Sequence, residues 1–114
     1  MNSYENFEPI HVPTFESVTS RLAYAINLNT DGLEYEATQI LVTLVLEMEP
    51  HIGDFEKEWV KVLLYLALVD TGNLYTGYLR AALGKYIDSI ENLEFPQPWC
   101  QLYYRVLNSL IVDA

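Results

Sequence analysis

The sequence predicts an all-α fold, a compact bundle of about five helices in a single domain, and three observations carry that prediction. Apolar residues recur at three-to-four spacing in five segments, and no segment sustains the alternation of a strand for more than a few residues. Pro13, Asp31-Gly32, Pro50 with Gly53, Gly72, and Pro96 with Pro98 fall between those segments as breaks. The length of 114 residues suits one core, and 51% hydrophobic residues suffice to build it.

Residues 1–13 lack the helical period and read as an extended N-terminal arm ending at Pro13. The first helix is expected from Thr14, with Thr14 or Ser17 as cap and Phe15, Val18, Leu22 and Ile26 as its stripe, fraying over Asn27 to Thr30. A second opens after Asp31 with Glu34 and Glu36 against the positive end of the helix dipole. Its stripe, widened by Val42, Val45 and Leu46, predicts burial on most sides. The third, from about Asp54 to Asp70, takes Asp54 as its cap and is apolar nearly all round, which makes it the central helix.

The fourth helix, from about Leu74 to Asn92, is amphipathic, with Leu74, Tyr78, Leu79, Leu83 and Ile87 on its apolar face. Gly77 and Gly84 within it suggest a close helix crossing or a local break. The fifth, from about Trp99 to Ile111, follows two prolines that hold its approach extended and packs Leu102, Val106, Leu107 and Leu110.

Charge is the second informative property. The formal net charge is -10, and residues 1–58 hold eleven acids against Arg21 and Lys57, whereas residues 59–114 are close to neutral. The acids gather at two corners flanking the second helix: Asp31, Glu34 and Glu36 around Tyr35, and Glu47, Glu49, Asp54, Glu56 and Glu58 around His51. Against a calcium loop counted from Glu47, Glu49 and Glu58 fall at ligand positions, but Ile52 stands where the loop needs glycine and Phe55 takes the ninth place. No metal site is expected. Glu47 and Glu49 do invite explanation, since a carboxylate near a helix C-terminus costs about 0.3 to 1 kcal/mol.

No catalytic residue or cofactor site is expected either. His11 and His51 lack a nucleophile at a telling spacing, Cys100 reads as a small apolar residue at a helix start, and no phosphate loop or zinc-protease motif occurs. Six bases against sixteen acids oppose nucleic acid and membrane surfaces alike as partners. The start of the chain carries no secretory or transit pattern, no apolar run reaches the roughly 20 residues of a membrane span, and a lone cysteine forms no internal disulfide. A cytoplasmic location is the expectation.

Nine tyrosines add a final feature: Tyr103 and Tyr104 are neighbours on one helix and cannot face the same way, so some tyrosine must be exposed, a residue type suited to anchoring an interface. The expected function is that of a small acidic binding protein that blocks a basic partner, namely an immunity or antitoxin protein neutralising a bacterial nuclease toxin. The expected partner-binding residues are the two acidic corners with Tyr35. The alternatives are a homodimeric helical structural or regulatory domain and a phage-type inhibitor that mimics nucleic acid.

Overall fold

A computed structural model describes residues 13–86 and 96–112, with side chains up to 109. These residues form five α-helices and no strand, as the sequence predicts: α1 (Phe15–Thr30), α2 (Glu34–Met48), α3 (Glu56–Val69), α4 (Thr76–Gly84) and α5 (Gln97–Val112). A 3₁₀ turn, Glu49–Asp54, joins α2 to α3. Residues 1–12 of the expected arm and residues 87–92 of the expected fourth helix lie outside the described residues, as does the side chain of Leu110. None of the described helices is long and apolar enough to cross a membrane.

The core is organised around α3, which packs against α1, α2, α4 and α5. Trp59, Val60, Val62, Leu63, Leu64, Leu66 and Val69 are all buried, and residues spaced by one and two as well as three and four point to different sides of a helix. The apolar character of this segment therefore has partners around most of its circumference, and the side carrying Lys57 and the exposed Leu68 stays open. From α1 come Val18, Leu22 and Ala25, from α2 Ala37, Leu41, Leu44, Val45 and Met48, and from α4 Leu79, Ala82 and Leu83.

The fifth helix closes the remaining side. Tyr103 is fully buried and its hydroxyl donates to the carbonyl oxygen of Leu83 at 2.9 Å, while its neighbour Tyr104 is exposed. One phenol thus fills the α4–α5 seam without leaving a polar atom unsatisfied. Nearer the start of α5, Trp99 meets the ring of Tyr65 with centroids 6.0 Å apart, and Lys61 lays its ammonium 5.5 Å from the indole centroid. These contacts join α3 to α5 through aromatic packing and a cation–π interaction.

Helix ends explain where the elements depart from expectation. The side chain of Thr14 accepts the Ser17 amide at 3.1 Å, the expected cap, but α1 does not fray at Asn27. It runs to Thr30 and stops in a Schellman motif: Gly32, at φ +86°, sends its amide to Asn29, and Leu33 sends its amide back to Leu28. At α3 the expected cap is displaced. Asp54 ends the 3₁₀ turn, and Phe55 takes the cap position with no side-chain hydrogen bond.

The fourth helix is shorter than its apolar period suggests. The carboxylate of Asp70 accepts the amides of Leu74 and Tyr75 at 2.9 and 2.8 Å, and Asn73 adopts a left-handed φ of 55°, so the helix cannot begin before Thr76. It ends at Gly84, which is the local break; among the described residues nothing lies within 4 Å of where a Cβ would stand on Gly77 or Gly84, so neither marks a close crossing between the described helices. In α5, Pro98 falls inside the first turn instead of before it, where its missing amide leaves no intrahelical bond unmade.

Truncation should separate core from surface. Leu63→Ala, on the buried face of α3, is expected to cost about 2 to 5 kcal/mol in urea unfolding, whereas Leu46→Ala, on the exposed side of α2, should stay within about 0.5 kcal/mol. Equal losses at the two positions would contradict this assignment of the core.

Candidate functional site

The two glutamates whose positions the α2 dipole disfavours both have partners within the molecule. Arg21, on α1, sends Nη1 to Glu47 Oε2 at 3.0 Å and Nη2 to Glu47 Oε1 at 2.8 Å, a bidentate fork. The same guanidinium is held by the Ser17 hydroxyl, 3.0 Å from Nη2. Glu47 thus ties α2 to α1, and the fork offsets its unfavourable place at the helix end. Glu49, one residue beyond α2, accepts the hydroxyl hydrogen of Tyr78 on α4 at 3.0 Å.

The rest of that corner faces outward. Asp54 and Glu56 are exposed, Glu58 is half-buried, and none of the three makes an ion pair among the described residues. Glu56 and Glu58 stand in the first turn of α3, where the dipole favours them. His51 is half-buried in the 3₁₀ turn, and no group of three or more metal-ligating side chains assembles among the described residues.

At the other corner Asp31 follows α1, and Glu34, Tyr35 and Glu36 form the first turn of α2, all of them exposed. Tyr35 is 73% accessible, the most open tyrosine among the described residues. The corners lie at opposite ends of α2, about 22 Å apart at 1.5 Å per residue.

What joins them differs from the expectation that α2 is buried on most sides. Val42 is only half-buried and Leu46 is 67% exposed, so one face of α2 lies open. Opposite stands the α4 end, with α3 holding the two helices apart; α2 and α4 do not pack broadly on each other among the described residues. The gap is an apolar groove of about 260 Å³ lined by Val42, Val45 and Leu46 of α2, Leu66 of α3, and Tyr75 and Tyr78.

Glu49 lines the groove at one end, and beyond it a smaller depression of about 110 Å³, which shares Glu49 and Tyr78, continues to Trp59 and Lys85. Past Tyr75, a second depression of about 330 Å³ leads to Glu34, Tyr35 and Asp70. No lysine or arginine lines the groove or this second depression. Leu74, expected on the apolar face of α4, is instead 79% exposed beside this second depression, because the Asp70 turn carries it outside the helix.

The groove residues were not recognisable as a site from the sequence. Leu46 and Leu74 match the helical period and so read as core; only the excess width of the α2 stripe hints that part of it lacks cover.

Tyr78 reports on this region. Its hydroxyl is pushed up to about 12, first by burial, then by its hydrogen bond to Glu49 and the charge of that carboxylate. Glu49→Gln should therefore lower the Tyr78 pKa while leaving it above the ordinary 10, as followed by NMR of the ring carbon bearing the hydroxyl. Between pH 10 and 12 the folded chain keeps a proton that the unfolded chain has lost, so stability should fall with rising pH in that window, and less so in Tyr78→Phe. A Tyr78 titrating near 10 in the native protein would contradict the arrangement. Compared with protein-family models, curated proteins and solved structures, the chain matches none.

Proposed function

We propose that this chain is a small acidic binding protein that docks on a basic protein and blocks it, and that the partner is a bacterial nuclease toxin, which makes the chain an immunity or antitoxin protein. The observation that carries this reading is the division of labour among the acids of the α2–α3 corner. Glu47 and Glu49 serve internal bonds, whereas Asp54, Glu56 and Glu58 make no ion pair among the described residues and raise the chain's self-repulsion. A surface of this kind, anionic on balance with Lys57 as the only lysine or arginine in residues 47–58, attracts cationic partners and speeds their encounter. Nuclease surfaces are cationic because their substrate is a polyanion, which makes them the natural target of such a blocker. Asp31, Glu34 and Glu36 with the open Tyr35 offer a second charged contact carrying an aromatic anchor.

The reading is tested with the product of the adjacent reading frame, as a purified pair. The variant D54K/E56K/E58K leaves the Arg21–Glu47 fork and the Glu49–Tyr78 bond intact, and it should fold. Its association rate with the partner is expected to fall about tenfold or more, and the steep salt dependence of the native pair should flatten. A folded triple variant that binds and neutralises as well as the native chain would remove this corner from the interface.

A further inference from the structure

We infer that the groove between α2 and α4 is the seat of an amphipathic helix of the basic partner, its apolar face laid on Leu46 and Tyr78 and its lysines or arginines reaching the acids at the two ends. The inference rests on the proposed function and specifies the shape of what is bound. Three features of the groove set the occupant.

Its middle is apolar: Val42, Leu46 and Leu66 offer hydrocarbon, and Leu46 stands two-thirds exposed where a surface helix would ordinarily carry a polar residue. Carboxylates flank it: Glu49 stands at one end, and past Tyr75 Glu34 and Asp70 line the second depression, with no lysine or arginine in either; the first basic residue beyond the Glu49 end is Lys85, in the adjoining depression. The groove and the second depression meet at Tyr75 and together follow α2 from Glu34 to Glu49, about 22 Å, which a helix of roughly fifteen residues matches. A helix laid between two others with its i, i+3, i+4 and i+7 residues downward is a recurring mode of peptide recognition.

Charge argues against the other candidates for this groove. A second copy of this chain brings another -10 to a surface already anionic at both ends, and a nucleic acid brings phosphates. The occupant that gains from both the hydrocarbon and the acids is apolar on one face and basic at both ends.

Three synthetic peptides of about eighteen residues test this: one with leucines at helical spacing and lysines at both ends, one with the same composition scrambled, and one with the lysines replaced by glutamine. Each is titrated by calorimetry into the full chain and into Leu46→Lys, a change at an exposed position whose fold is checked by circular dichroism. The first peptide is expected to bind the native chain at least about tenfold more tightly than either of the others, and to lose about tenfold on Leu46→Lys.

Equal binding of the first and scrambled peptides, or no effect of Leu46→Lys, would overturn the groove while leaving the attraction to basic partners standing. Equal binding of the first and glutamine peptides would keep an apolar groove but overturn the basic occupant and with it the function proposed above. No binding by any of the three overturns both. A dimer of the native chain in light scattering that Leu46→Lys dissociates would assign the groove to a second copy instead.

Discussion

The burial of α3 is the constraint from which the rest of this structure follows. A fourteen-residue helix with seven fully or nearly fully buried side chains spread over most of its circumference must be covered on all but the side of Lys57 and Leu68. Burying each such side chain contributes about 1.5 to 3 kcal/mol, so leaving any of them open to water is disfavoured strongly. Four helices supply the cover, and they take their positions from it. The elements packed on α3 are consequently spaced by its width, and α2 and α4 come to stand on either side of a gap. The groove between them is what remains where α2 and α4 both pack on α3 without packing broadly on each other.

Against that apolar frame the charges divide into two kinds. The Arg21–Glu47 fork and the Tyr78–Glu49 bond each cross between elements, the first tying α1 to α2 and the second bridging the groove at its Glu49 end. Both carboxylates stand where helix electrostatics alone would exclude them, and both are held by a donor from another element. Among the described residues, the remaining acids of the two corners make no such pairing. They cost the chain some stability through mutual repulsion; of them only Glu34 lines a depression beside α2, while Asp54, Glu56 and Glu58 stand in the turn after α2 and at the start of α3.

How much of this was legible in the sequence depends on the range of the interaction. Local signals served well: the Thr14 cap, the acidic first turn of α2, the central helix and the opposed directions of Tyr103 and Tyr104 all come from spacing within one element. Capture of backbone amides by a side chain was misread, because the same Asp70 that looks like the tail of α3 takes two amides from the following turn and shortens α4. Long-range pairing was invisible. Nothing in the period of α2 says that Arg21, twenty-six residues earlier, meets Glu47, or that Leu46 lacks a covering neighbour while Val45 beside it has one. The candidate surface was thus half legible: its acids were, and the apolar groove between them was not.

The central claim is that the outward acids are surplus to folding, and neutralising them tests it most directly. The stability of D54N/E56Q/E58Q should be measured by urea unfolding at pH 7 in low salt against the native chain. Relief of like-charge repulsion offsets the dipole contribution of Glu56 and Glu58 at the start of α3, about 0.3 to 1 kcal/mol each, so the predicted net change stays within about 1 kcal/mol in either direction and shrinks as salt is added. A loss of more than about 2 kcal/mol, beyond what the dipole accounts for, would mean that these carboxylates hold the fold together, and would contradict the assignment of their charge to a partner.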